Sequence, residues 1–277
     1  LGAVWPEALE GMDRETDHLR RQAHPHLLIP YRRSWPRDWE RRAQAEIDAQ
    51  PLAAICATVI FGVFTTRLVQ AAGIRPQGVI GYSLGESTGY FATGAWPDQG
   101  RMLDRIQFST LFREQLAGPH TALRQAWNLP ADATPRWQAA VVNRAAEAVR
   151  EILPNHPHVR LLIANTPAES VVGGLAEALP AFLAAIGGEA VPLQGVLPLH
   201  CDAVRPVLDA YRELHTFPTA PPPGMIYYSA ARGAPLALSD ASAADSIARQ
   251  SLEGFDFGAV IRRAHADGFR FFLEMGP

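Results

Sequence analysis

Gly78-Val79-Ile80-Gly81-Tyr82-Ser83-Leu84-Gly85-Glu86 is the stretch on which the fold turns. A short apolar run enters a pentapeptide of the form G-x-S-x-G, and a helical pattern follows from Glu86 to about Phe91. A strand, a tight turn and a helix are the setting in which small neighbours let a serine hydroxyl project from a strained backbone. There the Leu84 N–H would point at a forming oxyanion, and the start of the helix adds positive potential. An ordinary Gly-rich turn has the same five residues; the strand before and the helix after favour a nucleophile.

Working outward, Pro51 to Ala72 reads as a buried helix with Pro51 in its first turn. Residues 7–50 are rich in charge and Trp and predict short helices broken by Pro25, Pro30 and Pro36. A helix is expected from Arg101 to Leu116, ending at Gly118-Pro119. From Trp137 to Leu193 the pattern changes to strand (Gln138–Val142), helix (Ala145–Leu153), strand (Val159–Ala164), strand (Ser170–Gly173), helix (Ala176–Ile186) and strand (Ala190–Leu193). That β-α-β-β-α-β order is the ferredoxin-like unit. Beyond it come a helical segment (Asp202–His215), a Pro-rich loop (Pro218–Gly224), a strand (Met225–Ser229), a helix (Phe257–Ala266) and a last buried strand (Phe269–Glu274). The expectation is an α/β protein. An α/β-hydrolase-like large subdomain, 1–134 and 197–277, would carry an inserted ferredoxin-like small subdomain, 135–196.

Composition agrees. With 277 residues, 48% hydrophobic and 19% charged, the chain can bury one sizeable core and a smaller lobe. A net charge of −3 and no dense Lys/Arg run argue against nucleic acid as a partner. Two cysteines, Cys56 and Cys201, make no disulfide framework, so a reducing cytoplasm is the expected compartment. The longest apolar stretch, Pro51 to Phe64, is too short for a membrane span, and the N-terminus has no signal-peptide pattern. Both ends, Leu1 and Gly276-Pro277, look cut from something longer.

A serine nucleophile needs a base, and there are nine histidines. His24 and His26 flank Pro25, and His156 and His158 flank Pro157, as in exposed loops; neither pair has a third ligand for a metal. His18, His215 and His265 lie on charged helical stretches and read as surface residues, and His120 follows a helix-ending Gly-Pro. His200 differs. It follows the apolar Gly195–Leu199 segment and precedes a helix, where a side chain can reach across a cleft.

These residues carry a resemblance. Gly-Tyr-Ser-Leu-Gly-Glu (81–86) resembles the GHSxGE motif of malonyl-CoA:acyl-carrier-protein transacylases and of the acyltransferase domains of type I polyketide synthases. Leu199-His200-Cys201-Asp202-Ala203-Val204 is similar to the family's catalytic-His segment, and Ile163-Ala164-Asn165-Thr166-Pro167 with Val171-Val172-Gly173-Gly174 to its A-x-N-x-P…V-x-x-G stretch. Tyr227-Tyr228-Ser229-Ala230, Arg249-Gln250-Ser251-Leu252 and Phe272-Leu273-Glu274-Met275-Gly276-Pro277 come next, in family order. The resemblance implies that Ser83 accepts an acyl group, malonyl favoured, from a coenzyme A thioester. His200 would act as its base, the Gln250 backbone carbonyl would orient the imidazole, and the Leu84 N–H would meet the oxyanion. It also implies Asn165 and Leu199 at the substrate, with Leu199 tuning acyl size. The partners implied are an acyl carrier protein bearing phosphopantetheine and covalently linked ketosynthase and other synthase domains. No cofactor is implied beyond the coenzyme A substrate.

Three departures matter. The family's N-terminal GQGxQ segment, source of a second oxyanion donor, is not found, although Gly11-Met12-Asp13-Arg14 resembles the GMGReL that normally succeeds it. Tyr82 replaces the usual His before the serine, as in iterative enediyne-type synthases. Malonyl-selective relatives place an Arg about 25 residues beyond the serine to hold the free carboxylate; here that position is Phe108. If one helix runs through 101–116, Arg101, Arg105, Phe108 and Phe112 share a face, and Arg105 could supply the guanidinium. The competing readings are transfer of an uncharged acyl group, a serine esterase or thioesterase, with Glu169 or Glu177 as the acid, and a non-catalytic docking domain that only positions carrier proteins.

Overall fold

The computed structural model describes residues 6–15, 34, 36–48 and 50–276. Pro25, Pro30, His18, His24 and His26 lie outside the described residues. The chain begins with α1 (Pro6–Glu15), α2 (Trp39–Asp48) and α3 (Pro51–Ala71). α3 is 21 residues long with an 18-residue stretch of mean hydropathy 2.0. That is enough to cross a membrane by length and composition, contrary to the expectation from Pro51–Phe64, and 44% of that stretch is buried in the fold. Ile60, Val63 and Phe64 are buried with Tyr90, Phe91, Trp96, Phe217 and Tyr227. At about 1.5–3 kcal/mol for each large apolar side chain, this cluster is the main source of cohesion around the first sheet.

β1 (Gly78–Ile80) leads through the turn into α4 (Gly85–Ala92), as the sequence predicts. The helix expected over 101–116 is instead two pieces. Asp98 caps α5 (Gln99–Phe108) by accepting the Arg101 N–H at 2.8 Å. Ser109 then turns extended (φ −83°, ψ 146°), and its hydroxyl takes the Leu111 N–H at 3.1 Å. A serine that bonds nearby backbone competes with the helical ladder. The chain resumes as a separate π-helical turn at Leu111–Gln115, followed by α6 (Thr121–Ala126).

Next come β2 (Trp137–Val142), α7 (Ala146–Ile152), β3 (Val159–Thr166), β4 (Glu169–Leu175), α8 (Leu179–Ile186) and β5 (Ala190–Leu193). Their strands pair antiparallel in the order β5-β2-β4-β3, the ferredoxin-like arrangement. After a 3₁₀ turn (Asp202–Val207) and α9 (Leu208–His215), β6 (Ile226–Ser229) pairs parallel with β1, and β7 (Ala234–Leu236) pairs antiparallel with β6. α10 (Asp240–Glu253), β8 (Phe255–Asp256) and α11 (Phe257–Ala266) complete the order. β8 joins the second sheet, parallel to β3, so that sheet has five strands.

Phe269–Glu274, expected as a buried strand, is neither. The Phe269 ring packs at Gly78 and edge-on against Tyr228, but among the described residues the segment joins no ladder. Phe271 is 92% exposed and Leu273 57%. An apolar run becomes a strand only where an edge takes its N–H and C=O groups. His215, expected at the surface, is buried on Tyr211 and Trp96.

Candidate active site

Ser83 stands in the left-handed region, φ 53°, between β1 and α4. Gly81 permits this turn, because a Cβ there would overlap the Glu86 backbone nitrogen. His200 too has a positive φ, 64°, which throws its ring from the chain entering the 3₁₀ turn. The two side chains meet: Ser83 Oγ lies 2.7 Å from His200 Nε2, and His200 Nδ1 lies 2.9 Å from the Gln250 carbonyl. Since a carbonyl only accepts, the proton belongs on Nδ1 and Nε2 is free to take the serine proton. Among the described residues the Leu84 N–H has no acceptor.

Gln250, 2% exposed on α10, acts twice. Its carbonyl takes His200 Nδ1, while its side-chain Nε2 donates to Glu86 Oε2 at 3.1 Å and to the Ser83 carbonyl at 3.3 Å. Glu86 is buried and also accepts from the Tyr90 hydroxyl at 2.8 Å, the Ala230 N–H at 3.3 Å and the Ser246 hydroxyl. Burial pushes the Glu86 carboxyl up, and the bonds from Ser246, Tyr90 and Ala230 hold it back. Burial holds the His200 imidazole down to about 4, against the opposing pull of the Gln250 carbonyl.

Around this pair the wall is aromatic. Tyr82 lies edge-on to Phe255 and Phe257, with centroids 5.5 and 5.0 Å away, and His200 lies edge-on to Phe255 at 5.3 Å. The Tyr82 hydroxyl donates to Asn165 Oδ1 at 2.8 Å, and Asn165 Nδ2 donates to Glu169 Oε1 at 2.8 Å. Leu199 is half-buried against the main core.

No protein-family model matches the chain. Among curated proteins it is 27% identical over 233 residues to a polyunsaturated fatty acid synthase polypeptide of Thraustochytrium sp., covering 77% of this chain and 11% of that protein. It is 23% identical over 239 residues to the non-reducing polyketide synthase tpeB of Talaromyces stipitatus, covering 84% and 10%. The chain thus spans about a tenth of the length of these relatives. Among solved structures it resembles MCAT from Streptococcus pneumoniae, with 21% identity, TM-score 0.68, and coverage of 100% of this chain and 83% of that one. It also resembles the acyltransferase domain from the second module of the salinomycin polyketide synthase, with 20% identity, TM-score 0.70, and coverage of 99% and 58%. The chain has the acyltransferase fold.

Within this acyltransferase fold, two of the proposed substrate residues fall elsewhere. The break at Ser109 separates Phe108, 86% exposed, from buried Phe112, so the expected common face does not exist. The Arg105 guanidinium donates to the Glu213 and Thr216 carbonyls at 2.6 and 2.8 Å and lies over the Phe217 ring. It closes the C-terminal end of α9, where a cation is favourable. Nor does a carboxylate reach His200 Nδ1: Glu169 is bonded to Asn165, and Glu177 is exposed. Sequence reasoning did not single out Tyr90, Ser246, Phe255 or Phe257, and used Glu86 only as part of the motif. Its place in the first turn of a helix, beside an apolar strand, was the available signal that it is buried.

Proposed function

We propose that this chain moves a short acyl unit from coenzyme A to the phosphopantetheine thiol of an acyl carrier protein through an ester on Ser83. The contact that carries the reading is Ser83 Oγ to His200 Nε2 at 2.7 Å, with Nδ1 held by a backbone carbonyl rather than a carboxylate. The fold shared with transacylases supports it. Ser83 Oγ attacks the thioester carbonyl while its proton passes to Nε2. The tetrahedral oxyanion meets the Leu84 N–H, the C–S bond breaks, and Nε2 returns the proton to the leaving sulfur. The carrier thiol then gives its proton to Nε2, attacks the ester, and the serine hydroxyl is restored. Only the chain's own groups and the two thiols take part.

The sequence favours malonyl as the acyl unit, but Arg105, offered as the partner of its carboxylate, is committed to α9. The relatives are large synthases by name, which supports linked synthase domains and a carrier as partners. Intact-mass measurement after incubation with acetyl-CoA and with malonyl-CoA tests the reading. An adduct mapping to Ser83, absent from Ser83→Ala and discharged by a carrier protein, is expected. Free coenzyme A released without a persistent adduct would mean a hydrolase, and neither adduct nor release would mean a docking domain.

A further inference from the structure

Beside Ser83, the polar groups Tyr82, Asn165 and Glu169 form a chain whose directions are fixed by its carboxylate end. Glu169 is a carboxylate and can only accept, so the Asn165 amide turns its Nδ2 to Glu169 and its Oδ1 to Tyr82. The Tyr82 hydroxyl must then donate to Oδ1, so its one proton is already spent on Asn165. Among the described residues no cation pairs with Glu169. The Tyr82 hydroxyl is pushed up to about 12, first by burial and then by the Glu169 charge. Among the described residues, Gln250 Nε2 donates to Glu86 and the Ser83 carbonyl, and Arg105 to the carbonyls at the end of α9. The Leu84 N–H lies where the oxyanion forms. A malonyl carboxylate seated beside Tyr82 would find that hydroxyl's proton already spent on Asn165 and the Glu169 carboxylate behind it.

We infer that the acyl group taken up at Ser83 is an uncharged alkanoyl group, and that Glu169, through Asn165 and Tyr82, is the specificity residue that turns carboxylated acyl groups away. This rests on the acyl-transfer reading of Ser83. Tyr82, Phe255 and Phe257 give an alkanoyl chain an apolar surface at no polar cost. The chemistry is otherwise that of the first half-reaction: the thioester C–S bond breaks, the Ser83 ester forms, and the serine proton leaves on the coenzyme A thiol.

The experiment is a competition between acetyl-CoA and malonyl-CoA at equal concentration, with the two Ser83 adducts resolved by intact mass at short times. Acetyl should lead by on the order of tenfold, the scale of one like charge at close range in a partly solvated site. Raising salt on the unaltered protein should narrow the ratio, because both donors share coenzyme A and differ only in the acyl charge. Glu169→Gln keeps an acceptor for Asn165 but removes the charge, and should narrow the ratio severalfold. Malonyl equal to or ahead of acetyl in the unaltered protein, or a ratio that neither salt nor Glu169→Gln moves, overturns the inference and leaves acyl transfer standing. Absence of both adducts overturns the acyl-transfer reading itself, and this inference with it.

Discussion

His200 shows what one residue's surroundings do to its chemistry. A free imidazole near 6.5 would lose its basic nitrogen in mild acid, but burial holds this one down to about 4. Acylation measured as kcat/KM should therefore stay level from neutral pH to about 5 and fall by half near 4; a half-point near 6.5 would show that the ring is solvated at work. Stability runs differently. The folded values of His200 and of buried His215, also held to about 4, lie below the unfolded one. As pH falls from 6.5 toward 4 the unfolded chain takes up protons first, so stability present above 6.5 is lost across that window. Glu86, pushed up by burial, works in the opposite sense and offsets part of the loss. Thermal melts should give a lower Tm at pH 5 than at pH 7. Ser83 was marked by the G-x-S-x-G motif, His200 by its place after an apolar segment, and the Gln250 carbonyl only by the family resemblance; the structure brings the three together. The Asn165–Glu169 link was not legible, since no periodicity says which side chains face each other across strands β3 and β4.

Among elements, legibility followed the buried face. The strands and helices of 137–193 carry short apolar runs such as Ala139–Val142 and Leu161–Ala164, and were read nearly to their ends. α10 went unread, although it carries Gln250, because its buried positions are Ala243, Ala244, Ser246, Ala248, Gln250 and Ser251 with a single large apolar residue, Ile247. Helical periodicity detects apolar faces and is blind to small polar ones. Its one sequence signal was the start, where Ser239 and Ser242 cap each other's backbone. The helix expected over 101–116 failed in the opposite way, its apolar pattern running through a serine that breaks the ladder. Arg105 itself stays within α5, and its bonds to the Glu213 and Thr216 carbonyls tie it to α9. Arg105→Ala should leave the rate of Ser83 acylation unchanged while lowering stability by about 1–2 kcal/mol, the worth of charge-assisted bonds at a half-exposed helix end. Urea unfolding alongside intact-mass acylation checks both, and loss of acylation with stability intact would return Arg105 to the substrate.

At the scale of the molecule, the two sheets are tied together at a few points, and the reacting pair sits among them. Arg160 of β3 reaches Asp202, two residues beyond His200, through Nε at 2.9 Å and Nη2 at 3.0 Å, and Trp127 Nε1 joins them at 3.1 Å. Tyr82 bonds Asn165 across the cleft. The closest tie is Gly254. Its N–H donates at 3.0 Å to the same Gln250 carbonyl that receives His200 Nδ1, and the chain then enters β8 against β3. Its backbone, φ 69° and ψ −169°, lies in a region that only glycine occupies comfortably. A Cβ there would collide with the Leu162 carbonyl and stand 3.2 Å from that of His200. An added methyl would therefore press on the second sheet and on the His200 loop together. Gly254→Ala should cost about 2–4 kcal/mol in urea unfolding, from strain plus overpacking. It should also slow acylation at temperatures where the protein remains folded, because His200 and the Gln250 carbonyl would shift apart. Gly233→Ala is the comparison: its φ is 60°, but nothing lies within 4 Å of the added carbon. It should cost only the strain, about 1–2 kcal/mol, and leave acylation alone. If both variants lose stability alike and keep the same rate, the sheets do not hold the pair in register through Gly254.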